Sequence, residues 1–515
     1  MVKPLLKQIQ NDLNMSLLGL SAKIASKVYA RKIKSWERGA AKLQWKVFDG
    51  LIKKGRNTVF GNDHSFSSIR SYDDFKKHVP VRGYESFRAY IGRVRLGEPD
   101  ILWPGRPLYF AMTSGTTSGG KHIPITRDSI PNHINSTRIA LLNYIYRTGR
   151  TGFLNGKYIF LSGSPRLDNE NGIPAGRLSG IVNHHVPGYL KKNQLPSWDV
   201  NCIEDWVEKL DAIVDQTVNE NMSLISGIPP WVEMYFKQLL ERSGKKRIID
   251  LYPELGLYVY GGVNFDPYKR KFSNLIGAEI DSLETFPASE GFIAFQDRFP
   301  GEGLLLIPDS GIFYEFIEVE RINDDEPERI PLEEVRTGVN YAIILNTNAG
   351  MWGYSIGDTV RFTSTNPYRV TVTGRVSHYI SAFGEHIIAE EADSAIVEAC
   401  SRTGAGITEF TVAPLVDNPE GKPCHEWFIE FSNIPSSMEQ FSKELDMLMR
   451  QKNSYYDYLV KGRIISPLIV RKLPPDSFKR YMSSIGKLGG QNKVPRLRND
   501  RDMAEILLSY IDSSR

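Results

Sequence analysis

Through the first hundred residues, apolar positions return at helical spacing, as at Leu43, Trp45, Val47, Phe48 and Leu51, and this predicts a helix-rich opening. The apolar run 15–20 follows Lys3 and Lys7 and soon meets Lys23, Lys27 and Arg31. It is too short for a membrane span and reads as an amphipathic helix on a cytoplasmic protein. At 108–126 the pattern changes to short apolar runs flanking a glycine- and hydroxyl-rich loop. Strands predicted at 157–161, 223–226 and 257–260 then alternate with helices at 200–218 and 230–241, the second opened by proline. Apolar strands without a polar face, alternating with helices, indicate an α/β fold around a parallel sheet. Strands at 304–307, 314–317, 342–346 and 359–362 suggest an antiparallel, β-rich subdomain beside the main sheet. Past 373–384 comes a compact unit: helix 390–400, strands 409–414 and 426–431, helix 438–449 and strand 463–470. That is enough chain for a small α+β domain with its own core. We therefore divide the chain into a large domain, 1–376, and a C-terminal domain, 377–515.

Composition narrows the function by exclusion. The 515 residues imply two or more structural units. The 64 basic and 60 acidic residues leave a formal charge of +4, which gives no argument for nucleic-acid binding. Cys202, Cys400 and Cys424 lie far apart without paired spacing, so neither a disulfide framework nor a structural zinc site is expected, and a reducing compartment fits. The adjacent His184 and His185 are not spaced like a metalloprotease pair and read as pocket lining or surface.

The most informative stretch is 113–121, Thr-Ser-Gly-Thr-Thr-Ser-Gly-Gly-Lys. Its glycines let backbone N–H groups converge on an anion, its hydroxyls add donors, and Lys121 supplies countercharge. A polyphosphate needs that combination. The spacing from Gly115 to Lys121 also fits most of a Walker A loop, but His122 stands where that loop needs Ser or Thr for Mg²⁺. The following Ile-Pro-Ile cannot open the helix a Walker loop requires. A loop joining strand to strand remains, and a plain surface turn would make the lysine and the apolar flanks coincidental.

Set in 110–126, this loop resembles the nucleotide-phosphate motif of the adenylate-forming superfamily, and more closely that of the acyl-acid amido synthetases, the plant auxin- and jasmonate-conjugating enzymes and their bacterial relatives. The preceding text, Asp74-Phe-Lys-Lys-His-Val-Pro-Val with Tyr84, Glu85, Gly97, Glu98 and the Leu-Trp-Pro at 102–104, fits as well. The resemblance covers nearly the whole chain. It implies a large adenylate-forming domain and a smaller, mobile C-terminal cap. It further implies that Thr113, Ser114, Gly115, Thr116, Thr117, Ser118 and Lys121 bind the phosphates of ATP. The motif Phe286-Pro-Ala-Ser-Glu-Gly resembles the family's Tyr-x-Ser-Ser-Glu, with Phe286 and Ala288 departing from it. Ser289 is then implied to bond the nucleotide or the activated carboxyl, and Glu290 to hold Mg²⁺ at the phosphates. Gly261 and Gly262 match a glycine-rich edge lying against adenine, with a plain strand-to-loop turn as the alternative. The stretch 354–360 resembles Tyr-Arg-x-Gly-Asp-x-Val with Ser355 in place of arginine. It implies a flat face for the base from Tyr354 and a ribose contact from Asp358. Arg375 is implied to help hold the ribose at the hinge. In 489–496, which resembles the C-terminal Gln-x-Lys-x-Pro-Arg signature, Lys493 is implied as the catalytic charge over the reacting phosphate.

The function implied is ATP-dependent activation of a small carboxylic acid to acyl-AMP, followed by transfer to an amine, with an amino acid the expected acceptor. A CoA ligase shares the first half-reaction and differs in the second substrate. A nucleotide-binding regulator without chemistry would have no reason to retain Lys121, Glu290, Asp358 and Lys493. The Pro-Pro-Trp at 229–231 with Met234 and Tyr235 suits core packing better than an acyl pocket. The acid, the amine and the oligomeric state are not written in these motifs.

Overall fold

The computed structural model describes residues 2–113, 121–262, 265, 268–299, 301, 303–322, 324, 327–376, 379–385, 387–419, 421–485 and 494–512, with backbone alone for 2–17, Tyr189, Tyr379 and Glu390. A long helix, Val2–Gly55, kinked at Gly39, opens the chain. The shorter helix Tyr72–His78 starts at a reciprocal Ser71–Asp74 capping box. A small sheet follows, built from β1 (Tyr109–Thr113), β2 (Lys121–Ile125), β4 (Asp168–Glu170) and β5 (Ile173–Gly176) in the order β2-β1-β5-β4.

The main sheet has twelve strands. Its parallel half runs β6 (Gln194–Leu195), β3 (Lys157–Phe160), β7 (Met222–Ser226), β8 (Leu257–Gly261) and β9 (Asp281–Ala288). From β9 onward every pairing is antiparallel: β10 (Gly291–Phe295), β11 (Leu304–Leu306), β16 (Tyr368–Arg375), β15 (Tyr354–Thr365), β14 (Asn340–Thr347), β12 (Ile312–Glu318) and β13 (Ile330–Pro331). The β-rich region expected beside the main sheet is thus its continuation, because β10 and β11 bridge β9 to β16.

Alternation along the parallel strands feeds two cores, since successive side chains leave a strand on opposite faces. Ile225, Tyr258 and Tyr260 join Leu210, Ile213, Tyr235 and Phe236 from helices Trp206–Thr217 and Pro229–Ser243. Leu224, Leu257 and Val259 join Ile139, Tyr144 and Ile145 of helix Ile130–Thr148 on the other face. Helix Pro229–Ser243 begins on proline and ends at Gly244 with φ +68°, the arrangement that stops a helix at least cost. Its Tyr235 is fully buried and Trp231 packs 4.5 Å from Trp206, so this segment serves the core.

The C-terminal unit contains β17 (Tyr379–Ile380) and β18 (Ile387–Ile388), then a sheet of β19 (Gly406–Leu415), β20 (Cys424–Asn433) and β21 (Ile469–Leu473), covered by helices Ala389–Thr403 and Met438–Lys452. The strand expected at 463–470 starts only at Ile469. Arg463 takes a left-handed φ of 52° just past helix Ser454–Lys461, and Leu468 N–H is drawn to the Asp446 carboxylate. The expected boundary at 376/377 falls beside residues 377–378, outside the described set.

Candidate nucleotide and acyl-transfer site

Strands β1 and β2 are antiparallel neighbours, with Thr113 opposite Lys121. The loop between them therefore joins strand to strand. Ser114, Gly115, Thr116, Thr117 and Ser118 lie outside the described residues. The Lys121 ammonium stands 5.8 Å from the Tyr84 ring centroid, and the Tyr84 hydroxyl accepts the N–H of His122 at 2.8 Å. Burial pulls the Lys121 pKa below the usual lysine range, and Glu290 opposes that shift most strongly. Arg375, Asp358 and Glu85 also act on it.

Glu290 and Ser289 form the two-residue turn between β9 and β10, with Ala288 opposite Gly291. This is the point where the sheet changes from parallel to antiparallel. Beside it, β3, β7 and β8 also end, leading into Ser162, Gly227 and Gly262. Ligands of open α/β sheets occupy the crevice at such strand ends. Glu290 keeps partial exposure, yet the surrounding protein pushes its pKa up; Lys121 pulls it down and Asp358 raises it further.

Gly261 ends β8 so close to β9 that a Cβ there would meet the Thr285 carbonyl oxygen at 2.4 Å, while Gly262, at φ +78°, faces open space. Glycine is required at the first by contact and favoured at the second by conformation. Asp358 and Arg375 are cross-strand partners on β15 and β16, with carboxylate and guanidinium 2.6 Å apart. Arg375 also donates to the Ile356 carbonyl at 3.3 Å.

The structure corrects the reading of Tyr354. Its side chain is fully buried, with its ring 5.8 Å from Phe87 in an edge contact. Burial, then the charge of the neighbouring Glu290 and hydrogen bonding toward it, raise its pKa far above the usual tyrosine range. Tyr354 therefore offers no open face to a base, and its hydroxyl acts on the Glu290 carboxylate.

Lys121, Glu290, Asp358 and Arg375 thus act on one another although 254 positions separate the first from the last. Lys493 lies outside the described residues. The segment just after it is stitched to β19: Thr411 donates to the Pro495 carbonyl at 2.7 Å, and Arg496 and Arg498 exchange 2.9 Å backbone bonds with Val412. Two contributors escaped sequence reasoning as site residues. Tyr84 and Glu85 were legible only as flanking text, because a short turn far upstream carries no periodic or glycine signal. His185 sits against the Tyr109 hydroxyl at 3.1 Å and His184 on the Pro165 carbonyl at 2.8 Å. A cavity of about 410 Å³ opens elsewhere, between helices Val2–Gly55 and Ile130–Thr148, and none of the site residues lines it. No described helix is long and apolar enough to cross a membrane.

Comparison with known proteins gives a consistent picture. Family models for the GH3 family N-terminal, central and C-terminal domains match residues 29–200, 305–375 and 390–502. The chain is 24% identical to the indole-3-acetic acid-amido synthetase GH3.15 of Arabidopsis thaliana, over 92% of each chain. It is 20% identical to the jasmonoyl–L-amino acid synthetase GH3.5 of Oryza sativa subsp. japonica, over 90% of this chain and 93% of the relative. Among solved structures, AtGH3.15 acyl acid amido synthetase in complex with 2,4-DB superposes with TM-score 0.60 at 16% identity, covering 94% of this chain and 96% of that one. A 2-hydroxyisobutyryl-CoA ligase in complex with 2-HIB-AMP and CoA gives 0.58 at 14% identity over 92% of each. Those two likenesses establish the fold alone, the mixed α/β architecture that this chain shares with both proteins.

Proposed function

Because the chain belongs to the GH3 family, we propose that it is an acyl-acid amido synthetase whose adenylation chemistry takes place where Lys121, Glu290, Asp358 and Arg375 meet. That convergence is the observation that carries the reading. The carboxylate oxygen of a small acid attacks the α-phosphorus of ATP, pyrophosphate leaves, and an acyl-AMP forms. The amine of an amino acid then attacks the acyl carbon, AMP departs, and the amine loses a proton as the amide forms.

Each residue answers one need of that sequence. The loop at 114–118 and Lys121 take the phosphates, with the ammonium offsetting their charge. Asp358, held by Arg375, accepts the ribose hydroxyls. Gly262 lets the adenine approach bare backbone. Ser289 donates toward the acyl carboxyl. Glu290 suits Mg²⁺, because its carboxylate is crowded by protein and by Asp358 and would be relieved by a cation; such an ion takes one or two carboxylates and completes its shell with phosphate oxygens and water. Bound there, the ion supplies charge neutralisation at the phosphates. Lys493 comes over the site when the C-terminal unit, 377–515, turns as a cap about the hinge after Arg375. The three cysteines, all free, suit a reducing cytoplasmic setting.

The experiment is a screen for pyrophosphate release with ATP across carboxylic acids, followed by addition of amino acids to the best acid. Amide formation is expected. Thioester formation with CoA, and none with amines, would make the chain a CoA ligase, and no release with any acid would remove the catalytic reading.

A further inference from the structure

Two cations near this site have no part in the scheme above. Arg177 follows β5, whose Gly176 lies opposite Ala111 of β1, two residues before Thr113 and the phosphate loop. Its side chain fills the space beside Gly163, where a Cβ would meet Arg177 Cδ at 2.6 Å and Nη1 at 3.2 Å. Its guanidinium stacks on Tyr455 and Tyr458 of helix Ser454–Lys461 in the C-terminal unit, at 4.7 and 4.9 Å from the ring centroids. Among the described residues it has no hydrogen-bond or ion-pair partner. Stacking occupies the faces of a guanidinium and leaves its edge N–H groups available, the geometry that takes a carboxylate bidentately.

Lys209 lies behind it, 1% exposed. Its ammonium donates to the carbonyls of Ser162 at 3.0 Å and Asn201 at 2.7 Å, and no carboxylate pairs with it among the described residues. Burial, with Arg177 adding to it, pulls its pKa down to about 8. An ammonium buried without a counter-ion is costly, so its retention calls for a reason beyond packing. Both cations sit at the carboxyl end of β3, joined through the backbone 162–163.

We propose that Arg177, backed by Lys209 and presented by Tyr455 and Tyr458, is the seat for the carboxylate of the acceptor amino acid. The inference rests on the amide-forming reading and adds to it the residue that selects the acceptor class. An α-amino acid places its carboxylate one carbon from its amine, so a seat beside the end of β1 points the amine at an acyl group held near the phosphate loop. Because Tyr455 and Tyr458 belong to the C-terminal unit, the seat is complete only with that unit in the present orientation. Acceptor binding is thereby tied to a cap position.

The test compares an amino acid acceptor with the matching amine lacking the carboxylate, using the full-length enzyme and the best acid from the screen. Wild-type enzyme should favour the amino acid. Arg177→Ala should raise KM for the amino acid about 10- to 100-fold and leave KM for the simple amine near its original value. Acid-dependent pyrophosphate exchange should fall far less than amide formation. Arg177→Lys, which keeps charge without the fork, should lie between. The ratio of kcat/KM values for the two acceptors does not depend on how much variant is folded, so a destabilised variant still decides. Equal losses on both acceptors, or an unchanged ratio, would overturn the seat while amide synthesis stands. A wild-type enzyme that makes no amide would overturn the seat together with the reading it rests on.

Discussion

Tyr354→Phe tests whether this tyrosine serves the nucleotide base or Glu290. The substitution keeps the buried ring against Phe87 and removes only the hydroxyl that acts on Glu290. A hydrogen bond to a charged group contributes about 1.5–3 kcal/mol, and about 1.4 kcal/mol corresponds to one pKa unit. Burial already pushes the Glu290 carboxyl up, with Lys121 opposing it. Losing the hydroxyl should move it further up. If activity needs the carboxylate, the acidic limb of acid-dependent pyrophosphate exchange should shift to higher pH, at saturating ATP and with little change in the plateau. Stability follows the same sign. A glutamate whose folded pKa is raised keeps its proton to higher pH than the unfolded chain, so its contribution to stability falls as pH rises through that window. The fall in Tm of the variant should therefore be larger above the window than at pH 4–5. An unmoved acidic limb would refute the argument; weakened ATP binding with a fixed limb would instead return Tyr354 to the base.

Asp358→Ala should weaken ATP binding by about 1–3 kcal/mol, read by calorimetry, and unchanged affinity would remove it from the ribose. Lys121→Ala should weaken ATP more than AMP, because only the polyphosphate carries the charge it answers; equal losses would make the loop structural. Lys493→Ala should slow acyl-AMP formation by about two to three powers of ten, the equivalent of roughly 2–4 kcal/mol, while amide formation from supplied acyl-AMP persists; equal impairment of both would end its special role in adenylation. Glu385 lies buried against His425 at 2.8 Å. Burial raises the Glu385 pKa, but His425 and the backbone N–H groups at the carboxylate together outweigh it, so the net shift is downward. The stability this gives should be lost as pH falls through the lowered value, and Glu385→Gln should flatten the acid side of a Tm-versus-pH curve.

The sequence was most legible where one local feature had to satisfy one local demand. The parallel strands β7 and β8 announced themselves as apolar runs because both of their faces are buried. The stretch 113–121 stood out because glycines, hydroxyls and a lysine fall together, and β1 and β2 do flank it as a strand-to-strand connection. Pairing was less visible. The β-rich region read as an antiparallel subdomain beside the main sheet, and nothing in 281–306 says that β10 and β11 carry the sheet across into β16. Side-chain burial was less visible still. Tyr354 sits in a motif that promises a flat aromatic face, and only its packing against Phe87, from a turn more than 260 positions upstream, turns it inward. Arg177 and Lys209 carry no motif at all. Their significance lies in what they lack among the described residues, a carboxylate partner, and a sequence does not record the absence of a contact.

One hydrophobic cluster runs from Trp206, Tyr235 and Phe272 of the large domain into Ile396, Phe410, Trp427 and Leu459 of the C-terminal unit. Among the described residues, polar contacts between the two units accompany this cluster. Tyr268 donates to the Ala382 carbonyl at 3.0 Å, Lys271 pairs with Asp417, and Arg177 stacks on Tyr455 and Tyr458. An exposed ion pair such as Lys271–Asp417 contributes about 0–1 kcal/mol, and a cation stacked on partly exposed rings about 0.5–1 kcal/mol per ring. The apolar contact is therefore the larger barrier to rotation. A cap that turns must exchange that apolar contact for another rather than open it to water, because exposing it would cost about 25 cal/mol for each Å². Movement between two closed arrangements meets that condition. It also fits the two-step reaction proposed above, in which Lys493 would serve the phosphates first and the stacked Arg177 the acceptor second.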